Sequence, residues 1–304
     1  MHMNRLAVQL PGLDLKNPII PASGTFGYGD GFAKRYDLNL LGSMVIKTTT
    51  PKPRAGNAAP QFTTTVGSHL NSVGLKNPGI DVVMAERLPW LAEHFPELPI
   101  IGSVAGDSIE EYRDLVGQMS QAPNVHAIEL NVSCPNVANG GMAFGVDPDV
   151  VKKITEQCKS VSKVPLYVKL SPNVTDIGEI AEAAQAGGAD GITMINAILG
   201  MRIDLKTGKP VLANRTGGLS GHALKTVAIR MVAEVRKHVT LPIIGVGGVY
   251  TAEDAVELLM AGANAIEVGA ANYDDPLTCP KIISTLPIVL DNLGISTIND
   301  LTKQ

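Results

Sequence analysis

Short runs of β-branched and aliphatic residues recur along the chain, each closing on small or polar residues and most followed by a stretch of helical period. The runs are IIPAS (19–23), SMVIKT (43–48), PIIGSVA (99–105), AIELNVS (127–133), PLYVKLS (165–171), GITMINA (191–197), PIIGVGG (242–248) and AIEVGAA (265–271). They lack strict polar alternation, which suits strands buried on both faces of a parallel sheet. Between them lie amphipathic segments over 108–119, 147–161, 176–187 and 251–262. Asp147 with Pro148, and Thr251 with Glu253 and Asp254, are helix-start chemistry, while Gly187 and Gly262 stand where helices stop. About eight strand–helix units, with a last helix from about Pro280, predict a (β/α)8 barrel, with a doubly wound sheet as the runner-up. A hairpin around Pro11–Gly12 would close the barrel floor. The long connections 50–77, after the second strand, and 198–220, after the sixth, read as binding loops or lids. No linker or composition shift divides the chain, so residues 1–304 are expected to form one catalytic domain.

Composition narrows the function classes. The chain has 304 residues, 45% of them apolar and 18% charged, enough to bury a large core. Its formal charge of −4 offers no basic field for nucleic acid or anionic lipid. No apolar stretch approaches a membrane span and no signal core precedes a cleavage site, so a cytoplasmic protein is expected. Cys134, Cys158 and Cys279 are too far apart for a zinc site or an iron–sulfur cluster and read as reduced thiols. No metal site is expected.

A barrel carries its chemistry at the strand C-termini. There GVGG (245–248) and VGAA (268–271) expose backbone N–H groups in glycine-rich turns, as binding of a phosphosugar or of flavin mononucleotide requires. Lys47 and Lys169 end the second and fifth strands and point to the mouth. Lys169 would face negative charge developing on a flavin ring, or serve as a Schiff base, and Lys47 would span the flavin and a substrate carboxylate. After the fourth strand, Cys134 stands between Asn131 and Asn136, a thiol able to move a proton among amides that both donate and accept. Asn71 and Asn196 add two further amides. The histidines suggest no triad: His94, His126 and His238 fall near predicted helix ends, and His69 and His222 have no obvious partner.

These strings resemble the class 1 dihydroorotate dehydrogenases over essentially the whole chain. The resemblance is carried by NPIIPASGTFGYG, NSVGLKNPG, ELNVSCPN, VPLYVKLSPNVTDI, ITMINA, LANRTGGLSG, IIGVGGV and IEVGAANY. NVSCPN is shared with class 1A, whereas KLSPNVTDI and the LANRTGGLSG lid favour class 1B, the catalytic subunit of an NAD-linked enzyme. The resemblance implies a barrel that holds flavin mononucleotide (FMN) and oxidises dihydroorotate to orotate in pyrimidine biosynthesis. Cys134 would remove the substrate C5 proton while hydride passes from C6 to the flavin. Lys47, Asn71, Ser72, Val73, Gly74, Leu75, Asn131, Asn136, Asn196 and Ala197 would line the substrate. Ser23, Lys47, Thr48, Asn131, Lys169, Ile195, Gly221, Gly247, Gly248, Gly269 and Ala270 would hold the flavin. The cysteine argues against the membrane-associated class 2, which uses serine.

Three positions depart from the family pattern. Ser103 stands near the flavin where relatives commonly show asparagine, and Ala197 and Ala270 lack hydroxyls common at those places. Class 1B also implies a partner subunit carrying FAD and a 2Fe–2S cluster that passes electrons to NAD, around a homodimer core within a heterotetramer. The chain has neither a dinucleotide fingerprint after its first strand nor a cysteine set for a cluster, as such a division of labour requires. The alternatives are a self-sufficient class 1A enzyme using fumarate, a phosphosugar lyase or isomerase working through Lys169, and a flavin-carrying electron-transfer subunit without a substrate.

Overall fold

In a computed structural model, residues 4–133 and 144–303 are described. The strands, in chain order, are β1 (Val8–Leu10), β2 (Leu13–Leu15), β3 (Ile19–Pro21), β4 (Met44–Val45), β5 (Phe62–Thr65), β6 (Ser68–Asn71), β7 (Ile100–Val104), β8 (Val125–Asn131), β9 (Leu166–Lys169), β10 (Gly191–Met194), β11 (Ile198–Gly200), β12 (Gly217–Ser220), β13 (Ile243–Val246) and β14 (Ala265–Val268).

The eight apolar runs supply β3, β4, β7, β8, β9, β10, β13 and β14, paired in parallel in the order β3-β14-β13-β10-β9-β8-β7-β4. Neighbours follow chain order around a ring, without the reversal of strand order that a doubly wound sheet requires. The ends of the sheet, β3 and β4, meet where Gly42 N donates to Ile19 O at 3.0 Å. A Cβ on Gly42 would lie 2.0 Å from the Asn17 carbonyl, so glycine is what allows the two to close. The fold is a (β/α)8 barrel.

Helix starts follow the predicted chemistry. Asp147 accepts from Asp149 N and Val150 N at the head of Pro148–Lys159, and Asp176 accepts from Gly178 N and Glu179 N ahead of Ile177–Ala186. Thr251 and Asp254 form a reciprocal capping box before Ala252–Met260. The final helix runs over Thr278–Asn292 and so begins slightly before Pro280. At the floor β1 and β2 pair as the expected hairpin, and the buried Tyr167 hydroxyl donates to Pro11 O at 2.9 Å, fixing the plug to the barrel interior.

The two long connections are not open loops. They carry β5, β6, β11 and β12, which join as one antiparallel sheet in the order β11-β12-β6-β5. FTTT, SHLN, ILG and GGLS bury little apolar surface, so their pairing is not announced by hydrophobic period. Gly217 and Gly221 permit the approach: a Cβ on the first would lie 2.5 Å from Asn71 O, and on the second 2.7 Å from the Ser68 Cα. This sheet borders the mouth of the barrel.

Candidate active site

A pocket opens at the C-terminal mouth of the barrel. Its wall takes residues from the ends of β3, β4, β8, β9, β10, β13 and β14 and from the lid sheet. Of the residues named from sequence, Ser23, Lys47, Thr48, Asn71, Val73, Gly74, Leu75, Asn131, Lys169, Ile195, Asn196, Ala197, Gly221, Gly247, Gly248, Gly269 and Ala270 line this one cavity. Cys134 and Asn136 lie outside the described residues.

Two of the named residues stand behind the wall. Ser103 is fully buried, and its hydroxyl meets Thr48 Oγ1 at 2.9 Å and Glu129 Oε1 at 3.0 Å inside the barrel. Ser72 is 1% exposed and bonds to Asn57 Nδ2 at 2.9 Å, an anchor for the loop that presents its neighbours.

At one end of the pocket the chain turns through Gly247 and Gly248 after β13, and through Gly269 and Ala270 after β14. Gly248 has φ +73°, and a Cβ there would lie 2.4 Å from the Lys225 amide nitrogen. The turn therefore packs directly on the start of helix Lys225–His238, with main-chain amides at the wall. This is a donor set for a phosphate. Tyr250 and Tyr273 also face the pocket. Neither was named among the candidate site residues from sequence.

Amides dominate the other end. Asn196 Nδ2 donates to Ser133 Oγ at 2.6 Å, Ser133 Oγ donates to Asn131 Oδ1 at 3.1 Å, and Asn131 Nδ2 donates to Thr48 Oγ1 at 3.3 Å. Ser103 gives its only hydrogen to Glu129, so the Thr48 hydroxyl donates to Ser103. The chain of bonds thus has one direction, from Asn196 to the Glu129 carboxylate.

Lys169 closes the floor between the two ends. Its ammonium donates to Glu267 Oε2 at 2.9 Å, to Glu129 Oε2 at 3.1 Å and to Ser23 Oγ at 3.3 Å. Burial alone would lower its pKa, yet the two carboxylates beside it hold it above the ordinary lysine value. Lys169 is thus a fixed cation and not the neutral amine that Schiff-base chemistry needs. Glu129 and Glu267 were missed in the sequence, although a carboxylate inside a strand buried on both faces is itself a signal. The floor and walls suit a flavin: a cation, amide donors and a glycine-walled anion end line one cavity.

The lid sheet is tied to this mouth. His69, on β6, contacts Asp274 Oδ2 through Nε2 at 3.0 Å, and the Tyr250 hydroxyl donates to the same oxygen at 2.9 Å. These bonds outweigh burial and hold the Asp274 carboxyl below the usual range. His69 therefore has the partner that sequence did not supply. His126 lies within β8 and not at a helix end, because the fourth strand begins at Val125. Cys158 and Cys279 are fully buried, and burial pushes both thiols up to about 12, as for small core side chains.

The family model for dihydroorotate dehydrogenase matches residues 5–290 of the chain. A protein of Bacillus cytotoxicus named dihydroorotate dehydrogenase B (NAD(+)), catalytic subunit, is 59% identical over 298 residues, covering 98% of this chain and 96% of the relative. Proteins of the same name from a Geobacillus species and from Anoxybacillus flavithermus are each 57% identical, over 298 and 300 residues, covering 98% and 99% of this chain and 95% and 96% of theirs.

Proposed function

The chain belongs to the dihydroorotate dehydrogenase family, and from that premise we propose that it is the catalytic subunit of an NAD-linked enzyme that oxidises dihydroorotate to orotate in pyrimidine biosynthesis. The observation that carries this reading is the single cavity in which the paired glycine turns, the Lys169 floor and the amides Asn71, Asn131 and Asn196 meet. Bound FMN would supply the acceptor for the hydride that leaves substrate C6.

The chain's own residues do the rest. Gly247, Gly248, Gly269 and Ala270 offer main-chain donors at the phosphate end, and Ser23, Thr48, Ile195 and Gly221 frame the ring. Lys47 meets the substrate carboxylate, while Asn71, Asn131, Asn196 and the Val73–Leu75 turn hold the cyclic amide. Asn136 is assigned to the same substrate set, and Cys134 takes the C5 proton. Lys169 has its charge balanced by Glu129 and Glu267.

A second subunit carrying FAD and a 2Fe–2S cluster takes the electrons to NAD, and two such pairs assemble around a homodimer of this chain. The relatives' name, catalytic subunit, supports the division. We read the chain as one catalytic domain working in the cytoplasm; no helix among the described residues is long and apolar enough to cross a membrane. Steady-state assays of the FMN-loaded chain with dihydroorotate test the assignment of the acceptor. Turnover is expected with NAD only when the FAD and iron–sulfur subunit is present. Sustained turnover by the chain alone with fumarate would assign it to the self-sufficient type instead.

A further inference from the structure

Two carboxylates that the reaction itself does not call for converge on the pocket floor. Glu129 on β8 and Glu267 on β14 both reach the Lys169 ammonium, at 3.1 and 2.9 Å, and are 0% and 1% exposed. With all three groups ionised the floor would carry a buried net charge of about −1, an expensive state away from water.

The surroundings of the two carboxylates differ. Glu129 collects donors from Ser23 at 2.9 Å, Ser103 at 3.0 Å and Lys169 at 3.1 Å. It is also the end of the directed chain that starts at Asn196, which requires an acceptor there. Glu267 receives a donor from Lys169 and otherwise faces the Glu129 carboxyl within hydrogen-bonding reach, while its Oε1 is buried with no hydrogen-bond partner among the described residues. The strands flanking Glu267, Ile19–Pro21 and Ile243–Val246, bring no titratable side chain. The charged residues Asp254 and Glu257 of the helix behind it are engaged by Lys225. Lys169 and Glu129 are therefore the charges that Glu267 meets.

Resting on the reading that the pocket holds a flavin, we propose that Glu267 carries a proton at neutral pH, with Glu129 beside it as the acceptor of the floor's hydrogen bonds. The two are positioning residues that fix both the place and the net charge of Lys169 beneath the flavin. Loss of the Glu267 proton would then set a further negative charge against a ring that is gaining electrons. Burial first, and then the charge of Glu129, push the Glu267 carboxyl above the usual carboxylate range against the pull of Lys169.

Infrared spectroscopy of the flavin-free chain tests the protonation by itself. A carboxylic-acid carbonyl band is expected at neutral pH, titrating away in mild alkali, shifting on isotope labelling of glutamate and missing from Glu267→Gln. The labelling assigns the band to glutamate even if that variant does not fold. In the flavin-loaded protein, the midpoint potentials of wild type and Glu267→Gln should coincide near about pH 6 and diverge toward about pH 9, with wild type the lower. Absence of the band, or potentials that run parallel across this range, would overturn the proposal. Failure to bind flavin would remove the reading of the pocket but would leave the infrared result standing.

Discussion

An ammonium has three hydrogens to give, and Lys169 gives them to Glu267, Glu129 and Ser23. A hydrogen bond to a bound ring therefore has to replace one of these, and the 3.3 Å bond to Ser23 is the weakest of the three. Replacing Lys169 with Met leaves the buried Glu129 and Glu267 carboxyl groups without their cation. Denaturant unfolding should show a loss of about 3–5 kcal/mol, together with loss of flavin. Glu267 sets a pH dependence of the opposite sense to an ordinary salt-bridged acid. Its folded-state pKa is raised, so the stability it contributes is complete below the unfolded carboxylate value and is lost as pH rises toward about 8. Wild type should therefore lose stability relative to Glu267→Gln across that window in urea titrations, and parallel curves would count against it. The sequence made Lys169 legible because it ends an apolar strand. Glu129 and Glu267 were not, because residues 40 and 98 positions from Lys169 become its neighbours only when the barrel closes.

Among the elements, the barrel strands and the helices named from sequence follow from local pattern, whereas Leu88–His94 and Lys225–His238 start without a side-chain cap and end without a glycine. The lid is different. Strands β6 and β12 lie about one hundred and fifty residues apart, pair through polar and glycine-rich segments, and present no apolar face to read. What holds them at the mouth is the bond of His69 to Asp274, with Tyr250 on the same carboxylate and Phe62 stacked on the His69 ring at 5.4 Å. Asp274→Ala removes both bonds at once. Hydrogen exchange over residues 62–71 should quicken, and the KM for substrate should rise with a smaller effect on kcat. Unchanged exchange would show that strand pairing alone secures the lid.

At the scale of the molecule, the ring of strands turns eight chain ends toward one mouth, which is why residues from Ser23 to Tyr273 can share a pocket. The glycine turns, Lys47, Lys169, Asn131 and Asn196 were legible because a barrel places strand C-termini together whatever lies between them, whereas Ser23, Thr48, Val73, Gly74, Leu75, Ile195, Ala197 and Gly221 came only from the family resemblance. Ser103 is not among the residues that line the cavity, since which side chain at a strand end reaches it depends on the layers beneath. The relatives' name, catalytic subunit, implies a separate subunit for onward electron transfer. The central claim is that this cavity is a flavin site where dihydroorotate is oxidised. The most direct measurement is anaerobic mixing of the FMN-loaded chain with dihydroorotate while flavin absorbance is followed. The account predicts rapid bleaching in wild type and almost none in a Cys134→Ala variant that keeps its flavin. A wild-type protein that stays yellow, or one that binds no flavin, would contradict it.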